Sequence, residues 1–281
     1  MTRFDDLLKE DILSLGMRAD DLRRSGAAGS RVFYQRVHVV RAADVKTGFT
    51  SPEAATEVRL LDTPETLEDA LNLVRAVKEG AGARVVTAFS LADLETRAEG
   101  GWGDTKTVLT QLAASGVSDV AELPVDRIDD LSASVQRARE AGLFARRLTV
   151  EQPVADRKAE ILDRIRLCLT DVGGITRVSP LPREVAQDKP TTGYEDVRMV
   201  ALSRLALGHY REPPVSIEVD WSLYGPKLAQ VALTFGADDV DNVSASDEAP
   251  DGKRRAALEE VRRNIESAGF KPVERDGRWQ V

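Results

Sequence analysis

The chain has 281 residues, with 39 lysines and arginines against 47 aspartates and glutamates, a net charge of −8 and one cysteine, Cys168. That length suits one large α/β core, since a (β/α) barrel takes about 250 residues; the charges are interspersed rather than gathered on a basic face, which excludes an electrostatic footprint for nucleic acid. A single thiol excludes an intramolecular disulfide, no apolar run reaches the roughly 18 residues that span a bilayer, and Met1 to Asp21 is charged throughout, so the expectation is a cytoplasmic chain without membrane contact.

Leu7, Leu8, Ile12, Leu13 and Leu15 recur at helical spacing, which predicts one or two short helices capping a barrel end. Val32 to Val40, rich in β-branched and aromatic residues, reads as a first strand. Residues 47–55, with Gly48 and Pro52, read as loop, and Glu57 to Leu61 as a short strand. Thr63 and Pro64 then supply a helix start, with Gly80 closing that helix. The alternation continues with strands at 84–89, 117–123, 143–150 and 174–179 and helices at 105–115, 129–141 and 154–170. Gly116, Gly142 and Gly174 fall where helices end. Past a Pro-rich loop, 180–190, come a helix over 194–207, a strand over 215–223, a helix over 227–235 and a charged amphipathic helix over 253–269. Short strands alternating with amphipathic helices imply a parallel sheet. Cys168, inside a periodic apolar run, reads as a buried structural thiol.

Four segments carry a family resemblance. Thr191-Thr-Gly-Tyr-Glu-Asp-Val-Arg198 opens a helix; Trp221-Ser-Leu-Tyr-Gly-Pro-Lys227 runs on to Phe235-Gly-Ala-Asp-Asp239; Ala268-Gly-Phe-Lys-Pro-Val-Glu-Arg-Asp276 closes the chain; and Val85-Val-Thr-Ala-Phe-Ser90 is followed by Leu91-Ala-Asp-Leu94. Together they resemble the radical S-adenosylmethionine enzymes of the futalosine route to menaquinone: aminofutalosine synthase, cyclic dehypoxanthine futalosine synthase and FO synthase. The resemblance spans roughly residues 30 to 276 and implies a radical-SAM-like barrel. In that family the first strand leads to Cys-x3-Cys-x2-Cys, because three thiolates bind three irons of a cluster. Here the strand runs into Arg41-Ala-Ala-Asp44, and the family's Gly-Gly turn after the second strand is Leu61-Asp-Thr-Pro64. The implied loss of the cluster loop and its helix predicts an α/β, incomplete (β/α) TIM-type barrel of about six parallel strands with an open edge. Its expected division is a helical cap over 1–30, a partial barrel over 31–250, and a C-terminal helix and tail over 251–281.

Each candidate site residue has a functional and a structural reading. Gly225-Pro226 starts a helix after a strand, either offering free amides to an anion or merely turning the chain. Trp221 and Tyr224 either stack on the nucleoside-like ligand that the resemblance implies or fill the core. Asp238, Asp239 and Asp241 either bind ribose hydroxyls by the barrel mouth or are solvated loop acids, and Asn242-Val243 stands where the family has Gly-Thr. His38, alternating with Val37 and Val39, is an inward-pointing acid or base or a structural histidine. Glu122 and Glu151, at predicted strand ends, are candidate general bases or solvated acids. Ser179 and Arg183 are placed to contact an anionic substrate. No metal site is indicated, and His38 and His209 are far apart in sequence.

The resemblance and its departures lead to a cluster-free homologue of aminofutalosine synthase, without a 4Fe-4S cluster or bound S-adenosylmethionine. It would be an accessory or substrate-holding partner in menaquinone biosynthesis, paired as a homodimer or as a heteromer with a radical SAM paralogue to cover the open edge. The alternative is a non-radical enzyme, performing hydrolysis or proton transfer on a futalosine-like nucleoside with Glu122, Glu151 or His38.

Overall fold

A computed structural model describes residues 4–46, 48–153, 157–184, 191–208, 214–246 and 257–278. Helices α1 (Asp5–Lys9) and α2 (Ile12–Ser25) precede strand β1 (Arg31–Val40) and strand β2 (Glu57–Leu60). There follow α3 (Leu67–Ala81), β3 (Val85–Ser90), α4 (Leu91–Arg97), α5 (Thr105–Ser115), β4 (Asp119–Pro124), α6 (Leu131–Glu140), β5 (Arg147–Val150) and α7 (Lys158–Asp171). The chain continues through β6 (Arg177–Pro182), α8 (Gly193–Leu207), β7 (Ser216–Asp220), α9 (Trp221–Leu233), β8 (Asp239–Ser244), α10 (Ala257–Ser267) and β9 (Lys271–Glu274). All strand pairs are parallel, and β1 bonds both β8 and β2, so β1 to β8 close into an eight-stranded barrel.

This corrects the expectation of an incomplete, six-stranded barrel with an open edge. The short first connection removes a helix but no strand: β1 pairs β2 directly, from Val37 opposite Glu57 to Val40 opposite Leu60. Asp239–Ser244, expected as a loop, is the eighth strand, with Val240 and Val243 buried on the helix side. Other differences are local. Thr66, not Thr63, caps α3 by accepting from the Asp69 amide. Residues 143–146 precede β5 rather than belonging to it, and β7 ends at Asp220, whose carboxylate caps α9. Of the segment 251–281, expected outside the barrel, the described part adds β9 to the barrel sheet beside β1. Residues 251–256, 279–281 and His209 lie outside the described residues.

The strands alternate in the sense that a helix-covered barrel demands. Val58, Leu60, Val86, Leu148, Val150, Val178 and Val240 are buried in the apolar core. The alternate positions carry Glu57, Arg59, Thr87, Arg147, Arg177, Ser179, Glu218, Asp239 and Asp241, all buried in the lumen. Among the described residues no helix is long and apolar enough to cross a membrane.

The connection from β1 to β2, residues 41–56, contains a 3-10 turn at Ala42–Asp44 in place of a crossover helix. It covers the outer face of the first strand by direct packing. The His38 ring stacks on Phe49 at 5.6 Å and its Nδ1 lies 3.2 Å from the Ser51 hydroxyl. The Ser51 amide donates to the Gly80 carbonyl on α3, and Arg84 donates to the carbonyls of Glu53 and Ala55. A β-carbon at Gly80 would collide with the backbone carbonyl of Phe49. Gly80→Ala would ordinarily stabilise a helix by about 1 kcal/mol. Here it is expected to destabilise the protein, read as a lower urea midpoint, because the strap must lift off α3.

Candidate functional site

The lumen is filled by a connected set of ion pairs rather than by apolar side chains. Arg59 on β2 grips Asp241 on β8 with two hydrogen bonds, at 2.7 and 3.0 Å, and its Nε reaches Glu57 at 2.7 Å. Glu57 also accepts from Gln35 at 2.8 Å and from Thr87 at 2.7 Å. Arg147 on β5 bridges Glu218 at 3.0 Å and Asp241 at 3.1 Å, and Arg177 on β6 joins Glu218 at 3.1 Å. From the N-terminal end Arg275, just past β9, holds Asp239 with two bonds, at 2.7 and 2.9 Å, and donates to Gln35. From the C-terminal end Arg183 reaches Asp220 at 2.6 Å, Ser179 at 3.0 Å, Glu218 at 3.3 Å and Glu122 at 3.5 Å.

Mutual pairing sets the protonation states. Burial opposes ionisation of Glu57, but Arg59 and Arg147 outweigh it and hold the carboxyl at about 2. Burial likewise opposes ionisation of Asp241, and Arg147 and Arg59 drive its pKa well below the ordinary range. Arg177 is the least favoured charge, lowered by burial and by the neighbouring Arg147 and Arg275. Asp119, at the N-terminal end of β4, differs from the lumen carboxylates that are pulled down. Burial pushes it up to about 6 although Arg146 lies 2.7 Å away, and its Oδ2 is buried without a hydrogen-bond partner.

The structure brings some expected site residues together and separates others. Glu122, Ser179, Arg183 and Asp241 meet in the upper lumen, with Glu218 and Asp220. The carboxylates around Arg183 leave its guanidinium engaged, which removes the expected availability for an anionic substrate. Glu151 is drawn aside into a pair with Arg127 at 2.7 Å, itself paired with Asp93 at 2.8 Å, and burial raises its pKa despite that partner. His38 faces the outer strap rather than the lumen, because it shares its face of β1 with Tyr34 and Val40. Asp238 lies just before β8, at the opposite end from the mouth, accepting from the Ile217 amide and paired with Arg204 at 2.8 Å. Trp221 is buried in the core, and Tyr224 donates to the Pro182 carbonyl at 2.7 Å. Gly225, at φ +76°, breaks the first turn of α9 from the helix that Pro226 begins. Asn242 has φ +57°, a left-handed conformation that asparagine tolerates as glycine does, and its side chain donates to Asp220. Phe89, fully buried at φ +63°, is a strained residue at the same barrel end.

The residues missed in the sequence are Gln35, Glu57, Arg59, Arg147, Arg177, Glu218, Asp220 and Arg275. Their signal was available: Glu57-Val-Arg59, Glu218-Val-Asp220 and Asp239-Val-Asp241 alternate charge with a β-branched residue. In a helix-wrapped barrel that pattern points the charge inward. At the mouth the Ser90 and Thr149 hydroxyls are buried without partners, Thr149 standing opposite Ser179 in register. This end therefore places two buried, unpartnered hydroxyls beside the carboxylates of Glu122 and Asp220, groups of the kind that hydrogen-bond a hydroxyl-rich ligand.

A closed parallel barrel with helices outside and polar groups at the carboxyl ends of its strands is the architecture of (β/α)-barrel enzymes. The fold is that of methylornithine synthase (PylB), with a TM-score of 0.63, 16% identity and coverage of 95% of this chain and 92% of that one. Residues 175–281 match the CofH/MqnC C-terminal region. The chain is 27% identical over 244 residues to the aminodeoxyfutalosine synthase of Thermus thermophilus, covering 75% of this chain and 64% of that relative. It is 35% identical over 123 residues to the 5-amino-6-(D-ribitylamino)uracil--L-tyrosine 4-hydroxyphenyl transferase of Archaeoglobus fulgidus, covering 40% and 35%. The likeness to PylB is one of fold, the family-model match lies in residues 175–281, and the chain spans less than two thirds of the length of these curated relatives.

The family implies an iron–sulfur cluster, and the residues present do not fit one. Three thiolates are required, and the chain supplies one cysteine. Cys168 sits on α7 in the apolar core, where burial pushes its thiol up to about 11. The segment after β1 offers Arg41, Asp44 and Lys46 and no thiol.

Two measurements test the electrostatic account. Asp241→Asn, which strands Arg59 and Arg147, is expected to cost about 3–5 kcal/mol in urea unfolding, the usual penalty for breaking one side of a buried pair. Replacing Arg59 and Asp241 together by Met and Leu should cost less than the single change. The second test concerns pH. Asp119, raised from 3.8 to about 6, holds its proton more tightly when folded; the stability this confers is complete below 3.8 and lost as pH rises through 6. Asp119→Asn should therefore flatten the pH dependence of the urea midpoint across that window.

Proposed function

We propose that this chain is a cluster-free member of its family, working as an accessory or substrate-holding partner in the futalosine route to menaquinone rather than as a radical enzyme. The observation that carries the reading is that the charged groups of the lumen are spent on one another. A general acid or base needs a pKa near the working pH and a free approach to substrate, whereas Glu57 and Asp241 are held ionised by arginines deep in the barrel. The missing thiols and the short strap where the family seats its cluster support the same reading. Similarity to aminodeoxyfutalosine synthase supports the pathway. The open barrel edge that first suggested a partner is absent, so the case for a partner rests on the chemistry missing from the chain.

On this reading the mouth lined by Ser90, Glu122, Thr149, Ser179 and Asp220 holds a neutral, hydroxyl-rich nucleoside. The non-radical alternative is weakened because Glu122, Glu151 and His38 lie in three separate environments. The test is anaerobic reconstitution with iron, sulfide and S-adenosylmethionine, followed by native mass spectrometry with an active aminodeoxyfutalosine synthase and its nucleoside product. No reductive cleavage of S-adenosylmethionine, together with a specific heteromer or a retained nucleoside, is expected. A four-iron cluster with cofactor cleavage would overturn the proposal, as would a cluster-free chain that binds neither enzyme nor nucleoside.

A further inference from the structure

The N-terminal end of the barrel is closed by the chain's own C-terminal segment, and the closure has the form of a bound ligand. Strand β9 is attached along one edge, to the first half of β1, from Arg31 opposite Lys271 to Tyr34 opposite Glu274. Lys271 is exposed and Pro272, Val273 and Glu274 are only partly buried, so little apolar area holds the strand. Past β9 the backbone turns inward, and Arg275 is 4% exposed. Its guanidinium meets Asp239 through two parallel hydrogen bonds, donates to the Gln35 amide oxygen and lies 3.9 Å from Glu218. At Gly277 the chain passes so close beneath β2 and β3 that a β-carbon would collide with the Thr56 carbonyl. A small cavity lined by Glu57, Thr87, Asp119, Arg147, Arg177 and Gly277 lies above it.

The charge balance makes this contact more than a packing detail. In the lower and middle lumen Glu57, Glu218, Asp239 and Asp241 face Arg59, Arg147, Arg177 and Arg275. Three of the four cations come from barrel strands, and the fourth is carried in by the tail. Without Arg275 the Asp239 carboxylate, whose pKa burial already raises, loses its bidentate partner. Planar two-point pairing with a carboxylate is specific to a guanidinium, and an ammonium cannot reproduce it.

We infer that the N-terminal end of the barrel is a guanidinium-binding site built from Asp239, Gln35 and Glu218, occupied in cis by Arg275, and that Lys271 to Gly277 is a latch that opens while the barrel stays closed. Segments with few buried apolar contacts open at lower free energy than the core around them. The site stands independently of the proposed pathway role.

The experiment uses the full chain. Hydrogen exchange read by mass spectrometry should show the latch amides of Lys271, Val273, Glu274 and Arg275 exchanging well before those of β6, β7 and β8, while Phe33, whose amide donates to Asp238 on the other side of β1, keeps pace with the barrel. In Arg275→Ala the same amides should exchange at least tenfold faster, with the upper barrel unchanged. Methylguanidinium at about 10 mM should restore protection and raise the melting temperature of that variant, while methylammonium or sodium chloride at equal ionic strength should not. Rescue by all three salts alike would reduce the effect to screening and overturn the site. Exchange of the latch in step with β7 and β8 in the unaltered protein would overturn the latch, and that readout stands even if the variant fails to fold.

Discussion

The structure depends on the need to fill an eight-stranded lumen with groups that satisfy one another. A barrel of this size has an interior just wide enough for side chains to pack, and here the packing side chains are arginines and carboxylates. Burying a lone charge is prohibitive, while a paired and hydrogen-bonded one is tolerable. The requirement therefore acts on the whole set: Arg59 needs Asp241, Arg147 needs Glu218, and Asp239 needs a cation that no strand of the barrel provides. The strand register, the direction of the tail and the position of Gln35 all follow from meeting that demand. Hydrophobic burial on the outer faces supplies the driving force, and the inner network specifies which strand lies beside which.

The same constraint explains how the barrel closes despite its abbreviated first unit. Parallel strands usually need a crossover of a dozen or more residues carrying a helix, because the outer face of the sheet must be covered. Residues 41–56 span the distance without a helix and cover the face with Phe49, whose ring meets His38 and whose backbone sits on the glycine of α3. Inside, Gln35 donates to Glu57 across the β1–β2 seam, so the seam is held from the lumen as well as from outside.

Much of the fold was legible in the sequence, and the misses share a cause. Helices such as Thr105–Ser115 declare themselves through periodicity and a glycine stop, and β1 declares itself by composition. The strand Asp239–Ser244 did not, because four of its residues, Asp239, Asp241, Asn242 and Ser244, are polar, and a polar run with acids reads as loop when its partners are unseen. Arg59, Arg147 and Arg177 were passed over for the same reason: each lies in a short strand, and its lumen partners on other strands lie 41 to 182 positions away. His38 was assigned to the wrong face because alternation with Val37 and Val39 says that neighbours face opposite ways but not which way is inward; the strap residues Phe49 and Ser51 that meet the ring decide it. Glu122, Ser179 and Arg183 do come together around the Arg183 guanidinium, an adjacency expected from a rule of architecture, that strand ends are where barrels collect polar groups, rather than from local sequence.

The filled lumen also bears on the proposed function. A barrel that turns over a substrate keeps its reactive groups underemployed until the substrate arrives, with perturbed pKa values near the working pH and open coordination. The carboxylates Glu57, Glu218, Asp239 and Asp241 deep in this lumen are each paired with arginine, whereas Asp119 at the N-terminal end keeps a buried oxygen without a hydrogen-bond partner. At the mouth Ser90 and Thr149 likewise hold buried hydroxyls without partners, and the backbone is strained at Phe89. Strain and unsatisfied hydroxyls persist only where something compensates for them, and a hydroxyl-rich ligand seated on those strand ends would do so. The physical division of the barrel is thus between an interior of carboxylates and arginines paired with one another and a rim whose buried hydroxyls find no partner within the chain.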